Sequence, residues 1–86
     1  MYSVIVSRTF QKQFHSLQEQ LQQRIRNALK ELEIDPDKSR SEADIKLLKS
    51  TKLQKHRMRV GDYRIIYMIE ENTVYVIEVF KRSQGY

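Results

Sequence analysis

The sequence predicts an α+β fold, a helical hairpin packed on one face of a mainly antiparallel sheet, in the order β-α-α-β-β-β. Three observations predict it. Apolar residues recur at helical spacing from Phe10 to Leu32, the mark of amphipathic helices. Asp35-Pro36-Asp37 ends that pattern, because the residue before a proline avoids the right-handed helical region. Gly61-Asp62 and Glu71-Asn72 then divide the C-terminal half into β-rich runs, at the two-residue spacing of hairpin turns.

The elements follow in order. Tyr2–Ser7 (YSVIVS) is β-branched and reads as a short strand. Phe10, Phe14 and Leu17 lie at i, i+4 and i+7 and give a first helix, with Ser7 or Thr9 as its cap. Leu21, Ile25, Ala28, Leu29 and Leu32 repeat the pattern in a longer helix. So short a connection predicts an antiparallel helix pair. Residues 36–44 are polar and read as a loop, and Ile45–Leu48 as a short extended piece. Lys55–Val60, Tyr63–Ile69 and Val74–Phe80 are the three strands that follow.

The 86 residues form one domain, 1–86, of a size that buries roughly two-thirds of its unfolded surface. There is no cysteine, so disulfides and thiolate metal sites are excluded. MYSVIVSRTF has no basic flank ahead of its apolar stretch and does not read as a signal peptide. No apolar run approaches the ~20 residues of a membrane span. A cytoplasmic protein is expected.

The net charge of +5 has a local origin. Residues 8–45 balance seven bases with seven acids. Residues 46–64 hold Lys46, Lys49, Lys52, Lys55, Arg57, Arg59 and Arg64 against Asp62 alone. Strand side chains alternate between faces, so Lys55, Arg57 and Arg59 share one face and His56, Met58 and Val60 the other. A two-residue turn at Gly61-Asp62 sets Val60 opposite Tyr63 and Arg59 opposite Arg64. Ile66 and Met68 then join the basic face.

A solvated sheet edge explains isolated lysines and arginines. Like charges set directly opposite each other destabilise a strand pair, however, and Arg59 facing Arg64 points to an anion that receives them. Phosphate fits, because arginine forks onto it bidentately. FKRSQGY adds Lys81, Arg82 and Tyr86 beyond the last strand. An aromatic beside guanidinium groups suits single-stranded RNA through stacking and phosphate pairing. Ile66 and Met68 add an expected apolar patch on the basic face, a docking site for a partner. His15 and His56 have no companion at ligand spacing, so no metal is expected. No glycine-rich phosphate loop exists, so no cofactor is expected.

The element order, GDYRIIY at 61–67 and KRSQGY at 81–86 resemble the RelE/ParE toxin superfamily of prokaryotic type II toxin–antitoxin systems, over essentially the whole chain. The resemblance implies a RelE-like fold. For the RelE branch it implies a ribosome-dependent endoribonuclease that cuts mRNA by attack of a 2′-OH on the adjacent phosphate. Arg64, Arg82, Tyr86 and Lys55 would then be catalytic. Arg57, Arg59, Lys46, Lys49, Lys52 and Lys81 would bind RNA. Many relatives carry His where this chain has Lys81, and a further base where it has Ser83. That leaves the proton-transfer role open among Tyr86, Lys55 and Lys81. The implied partners are a RelB-like antitoxin, the ribosome and mRNA. The ParE branch shares the fold, inhibits DNA gyrase and lacks the nuclease residues. Arg64, Arg82 and Tyr86 favour the nuclease branch over ParE-like inhibition; a plain RNA-binding module without catalysis is the third reading.

Overall fold

A computed structural model of the chain describes residues 1–48 and 55–84. The elements are β1 (Ser3–Val6), α1 (Arg8–His15), α2 (Glu19–Ile34), β2 (Asp44–Leu48), β3 (Lys55–Val60), β4 (Tyr63–Glu70), β5 (Thr73–Lys81) and a 3₁₀ turn, Arg82–Gln84. The α+β fold expected from the sequence is present. The extended piece after the loop is a full member of a five-stranded sheet, whose order is β1-β5-β4-β3-β2. Only β1 runs parallel to its neighbour, β5.

Local chemistry explains the helix ends. Ser7 is the N-cap of α1, and its Oγ accepts a 3.0 Å hydrogen bond from the Phe10 amide. This settles the choice between Ser7 and Thr9. The loop after α2 does more than end it. Asp35 Oδ1 accepts from the Asp37 and Lys38 amides at 2.9 and 3.2 Å, and those bonds hold its carboxyl below the ordinary range. The Arg40 guanidinium reaches back to donate to the carbonyls of Glu31, Asp35 and Lys38. It thereby ties the loop back onto the end of α2.

Both helices bury their apolar stripes on one side of the sheet. Phe10, Phe14, Ile25, Ala28 and Leu32 pack with Met58, Val60, Ile65, Tyr67, Val74, Val76 and Val79 in one core. Burying a side chain of the size of Ile25 or Leu32 stabilises by roughly 1.5–3 kcal/mol. His56 is buried within this layer at 5% exposure, as its strand parity requires. It stacks on Tyr67 with ring centroids 5.4 Å apart.

The turns fall where the sequence places them. Gly61 has φ +59°, and a Cβ there would lie 3.1 Å from the Arg24 guanidinium. Glycine is therefore favoured twice, by conformation and by space. Val60 faces Tyr63, and Arg59 faces Arg64, as the two-residue turn dictates.

One irregularity is absent from simple alternation. The β4–β5 register shifts between Ile66 and Tyr67, so that Tyr67 opposes Val76 while Ile66 opposes Glu78. Ile77 is the extra residue of a β-bulge. Strict alternation from Thr73 would set Glu78 against Ile65 inside the core and Val79 on the charged face. The bulge reverses both placements. Its freed backbone groups bond to α1 and its cap. Ser7 Oγ donates to the Ile77 carbonyl, and Gln13 Oε1 accepts from the Val79 amide at 2.7 Å.

Candidate nucleic-acid interface

The face of the sheet opposite the helices can be read as rows across the strands. Asp44, Arg59, Arg64 and Phe80 form one row. Lys46, Arg57, Ile66 and Glu78 form the next. Leu48, Lys55, Met68 and Tyr75 form a third. Cations therefore gather at the end near the β3–β4 turn, and apolar groups at the other end. Arg82 joins the basic end because its amide donates a 2.7 Å hydrogen bond to the Asp62 carbonyl, which ties the C-terminal turn to that hairpin.

Arg64 is the centre of this cluster. Its partial burial, and then the charges of Arg59, Arg57 and Arg82, lower its pKa, while Asp44 opposes them. It remains a cation at neutral pH, since an arginine side chain effectively always is. Its Nη1 makes only long contacts to the Tyr63 and Gly61 carbonyls, at 3.3 and 3.5 Å. Arg57 Nη1 lies 3.6 Å from Asp44 Oδ1 and is buried without a hydrogen-bond partner among the described residues. Guanidinium donors with long or missing partners, crowded by like charge, are a receptor for an anion with several oxygens.

The structure brings together Arg57, Arg59, Arg64, Arg82 and Lys46, all expected from the sequence. Lys55 lies in the apolar row, opposite Met68. Lys81 departs from the expectation. It opposes Tyr63, and therefore shares the side of Val60 and the helices, where it is exposed. The bulge and the strand parity carry it away from the basic face. Lys49, Lys52 and Tyr86, also expected at the site, lie outside the described residues. The expected apolar patch is corrected as well. Ile66 is only 1% exposed, ringed by its register neighbours Arg57, Glu78, Arg64 and Met68. Side chains of this length cover an apolar residue that lies between them.

Two residues were missed, and both are acids. Asp44 opposes Arg59, and Glu78 shares the row of Arg57, so the face is less uniformly basic than the hairpin alone suggests. A signal for Glu78 existed. Alternation from Val74 through Val76 would bury a carboxylate at position 78, a cost that a one-residue slip removes. Among the described residues, no group of three His, Asp or Glu has metal-binding proximity, and no helix is long and apolar enough to cross a membrane.

This fold, with its clustered guanidiniums beside the GDYRIIY strand, is that of a toxin of the RelE/ParE superfamily. A family model for the ParE toxin of the type II parDE toxin–antitoxin system matches residues 4–86, and the chain belongs to that family. Solved structures agree. A chain of the archaeal RelE–RelB complex from Pyrococcus horikoshii OT3 matches with a TM-score of 0.82 at 26% identity, over 98% of each chain. A chain of the RelBE2 toxin–antitoxin complex from Mycobacterium tuberculosis matches at 0.79 and 24% identity, over 94% of this chain and 98% of that one. The isolated RelE toxin of E. coli matches at 0.75 and 18% identity, over 94% of this chain and 84% of that one. No curated protein sequence matches the chain.

Proposed function

We propose that this toxin is a ribosome-dependent endoribonuclease that cleaves mRNA by attack of a 2′-OH on the neighbouring phosphate. The observation that carries the reading is the convergence of Arg57, Arg59, Arg64 and Arg82. Charge develops on the phosphate oxygens in the transition state, and donors already in place stabilise it without reorganising. Arg64 and Arg82 take the scissile phosphate. Arg57, Arg59 and Lys46 hold the flanking backbone. The substrate supplies its own nucleophile, which only RNA has. The ribosome holds the strand in line for attack, a positioning contribution that can reach several kcal/mol. Products then carry a 2′,3′-cyclic phosphate and a 5′-hydroxyl.

A RelB-like antitoxin is the proposed partner, in keeping with the RelE–RelB complexes among the similar structures. An acidic segment that folds on binding would neutralise the basic face. Co-expression with a small gene beside the toxin gene should rescue growth and yield a tight complex.

The family description favours a second reading, inhibition of DNA gyrase in the manner of the ParE branch. Primer extension on mRNA from cells expressing the toxin separates the two. Codon-phased cuts that disappear in Arg64→Ala and Arg82→Ala, with growth restored, are expected. These surface changes should alter stability by no more than about 0.5 kcal/mol. Intact mRNA together with blocked supercoiling by purified gyrase would establish the ParE-like reading instead. Full toxicity of both variants would remove the arginines from the site.

A further inference from the structure

We infer that Glu78 is the general base of the cleavage, aimed at the substrate by the β5 bulge. The inference rests on the nuclease reading above. Three observations carry it. The bulge at Ile77 moves Glu78 out of the core and onto the face of the arginines. Bulges recur beside active sites, where they re-aim a side chain. This one is secured by two side chains of the first helical segment, Ser7 and Gln13, which bond to the Ile77 carbonyl and the Val79 amide.

The second observation is position. Glu78 opposes Ile66, and Arg64 opposes Phe80, so Glu78 and Arg64 are diagonal neighbours across one strand pair. Their Cβ atoms are therefore roughly 7 Å apart. The third is the lack of a partner. Glu78 is half-buried, yet it forms no ion pair with any described residue. Asp44, the acid at the far side of the cluster, lies 3.6 Å from Arg57. A carboxylate with no cation paired to it keeps its oxygens available to accept a proton from a bound ribose. The remaining charged groups of the face are Lys55, Arg57 and Arg59 on β3, Lys46 on β2, Glu70 at the far end of β4, and Arg82 beyond β5.

The step balances. The Glu78 carboxylate takes the proton of the 2′-OH. The 2′ oxygen forms a bond to phosphorus, and the bond from phosphorus to the 5′ oxygen breaks. That leaving oxygen takes a proton from solvent, and Glu78 returns its proton to solvent. Arg64 and Arg82 hold the non-bridging oxygens throughout. Glu78 thus fills the proton-transfer role that Lys81, on the opposite side of the sheet, is poorly placed to serve.

The test is single-turnover cleavage of mRNA on programmed ribosomes, followed across pH for the unsubstituted chain, Glu78→Gln and Glu78→Asp. General-base catalysis is typically worth about 10²-fold or more. Glu78→Gln should lose about that factor and also lose the acid limb of the pH–rate profile, while Glu78→Asp keeps the limb at a reduced rate. Circular dichroism and antitoxin binding should be unchanged in all three. A rate for Glu78→Gln within threefold of the unsubstituted chain overturns the proposal. So does a slow Glu78→Gln that retains the acid limb, since that outcome marks a structural role. If the unsubstituted chain cuts no mRNA on ribosomes, the nuclease reading fails and the base fails with it. Normal cutting that ignores position 78 removes the base alone.

Discussion

Tyr67 keeps its ring wholly inside the core, and its hydroxyl donates a 2.6 Å hydrogen bond to the Pro36 carbonyl. Burial, reinforced by Asp37, pushes the phenol well above its ordinary value of 10.0. The folded chain therefore keeps a proton that the unfolded chain loses near that pH. Because the folded pKa is the higher one, the contribution to stability is complete below about pH 10 and is lost as pH rises beyond it. Stability should fall by about 1.4 kcal/mol per pH unit in that window on account of this one group. Urea titrations from pH 9 to 11 check it. Tyr67→Phe should flatten the slope by that amount, at a cost of about 1 kcal/mol for the lost hydrogen bond at neutral pH. An unchanged slope in Tyr67→Phe would mean that the phenol ionises as readily in the fold as outside it.

Among the elements, α1 is the one whose existence depends most on its contacts. Its eight residues are too few to stand alone in water, where helices shorter than about 12 residues are marginal. Ser7 links it to β5. The serine caps the helix through Phe10, donates from Oγ to Ile77, and donates from its amide to Val76 at 2.8 Å. Ser7→Ala removes a cap, worth about 1 kcal/mol, and leaves the bulge carbonyl unpaired, at a further 1–3 kcal/mol or so. The expected loss is therefore about 2–4 kcal/mol in thermal or urea unfolding. Thr9→Ala, the other residue the sequence offers as a cap, should stay within about 0.5 kcal/mol because Thr9 is exposed and makes no cap bond. Equal losses for the two variants would show that the Ser7 link to the bulge contributes nothing beyond a cap.

For the whole molecule, the dominant electrostatic fact is repulsion at one end of the sheet. Arg57, Arg59 and Arg82 each oppose the charge on Arg64, and the protein carries +5 overall. A fold held by surface ion pairs weakens with salt, whereas one strained by like charges strengthens. The screening length falls from about 30 Å at 0.01 M to about 8 Å at 0.15 M. The urea midpoint should therefore rise between those sodium chloride concentrations, and rise less in Arg64→Ala. A midpoint that falls with salt would show that the pairs Arg40–Glu31 and Arg57–Asp44 outweigh the cluster. On the proposed function, binding of a phosphate backbone would relieve the same strain, and stability and nucleic-acid affinity would draw on one set of side chains.

Much of this was legible in order along the chain. The helical periods of Phe10–Phe14 and Leu21–Leu32, the stop at Pro36 and the two-residue turn at Gly61-Asp62 are local, and each fixes its own neighbourhood. The turn alone set Arg59 against Arg64 and placed three of the site's cations, Arg57, Arg59 and Arg64. What lies beyond such a turn is not local. The seating of β1 beside β5 and of β2 beside β3 was decided by which sheet edges the folded core left open. The faces of Lys81 and Glu78 were decided by a single looped-out residue, Ile77. Nothing in VYVIEVF says which neighbour must loop out and have its backbone paired elsewhere. Those pairings come from Ser7 and Gln13, separated by 70 and 66 residues from the groups they hold. A period of two is a property of the strand, but a break in it is stable only where tertiary contacts satisfy the backbone groups it frees.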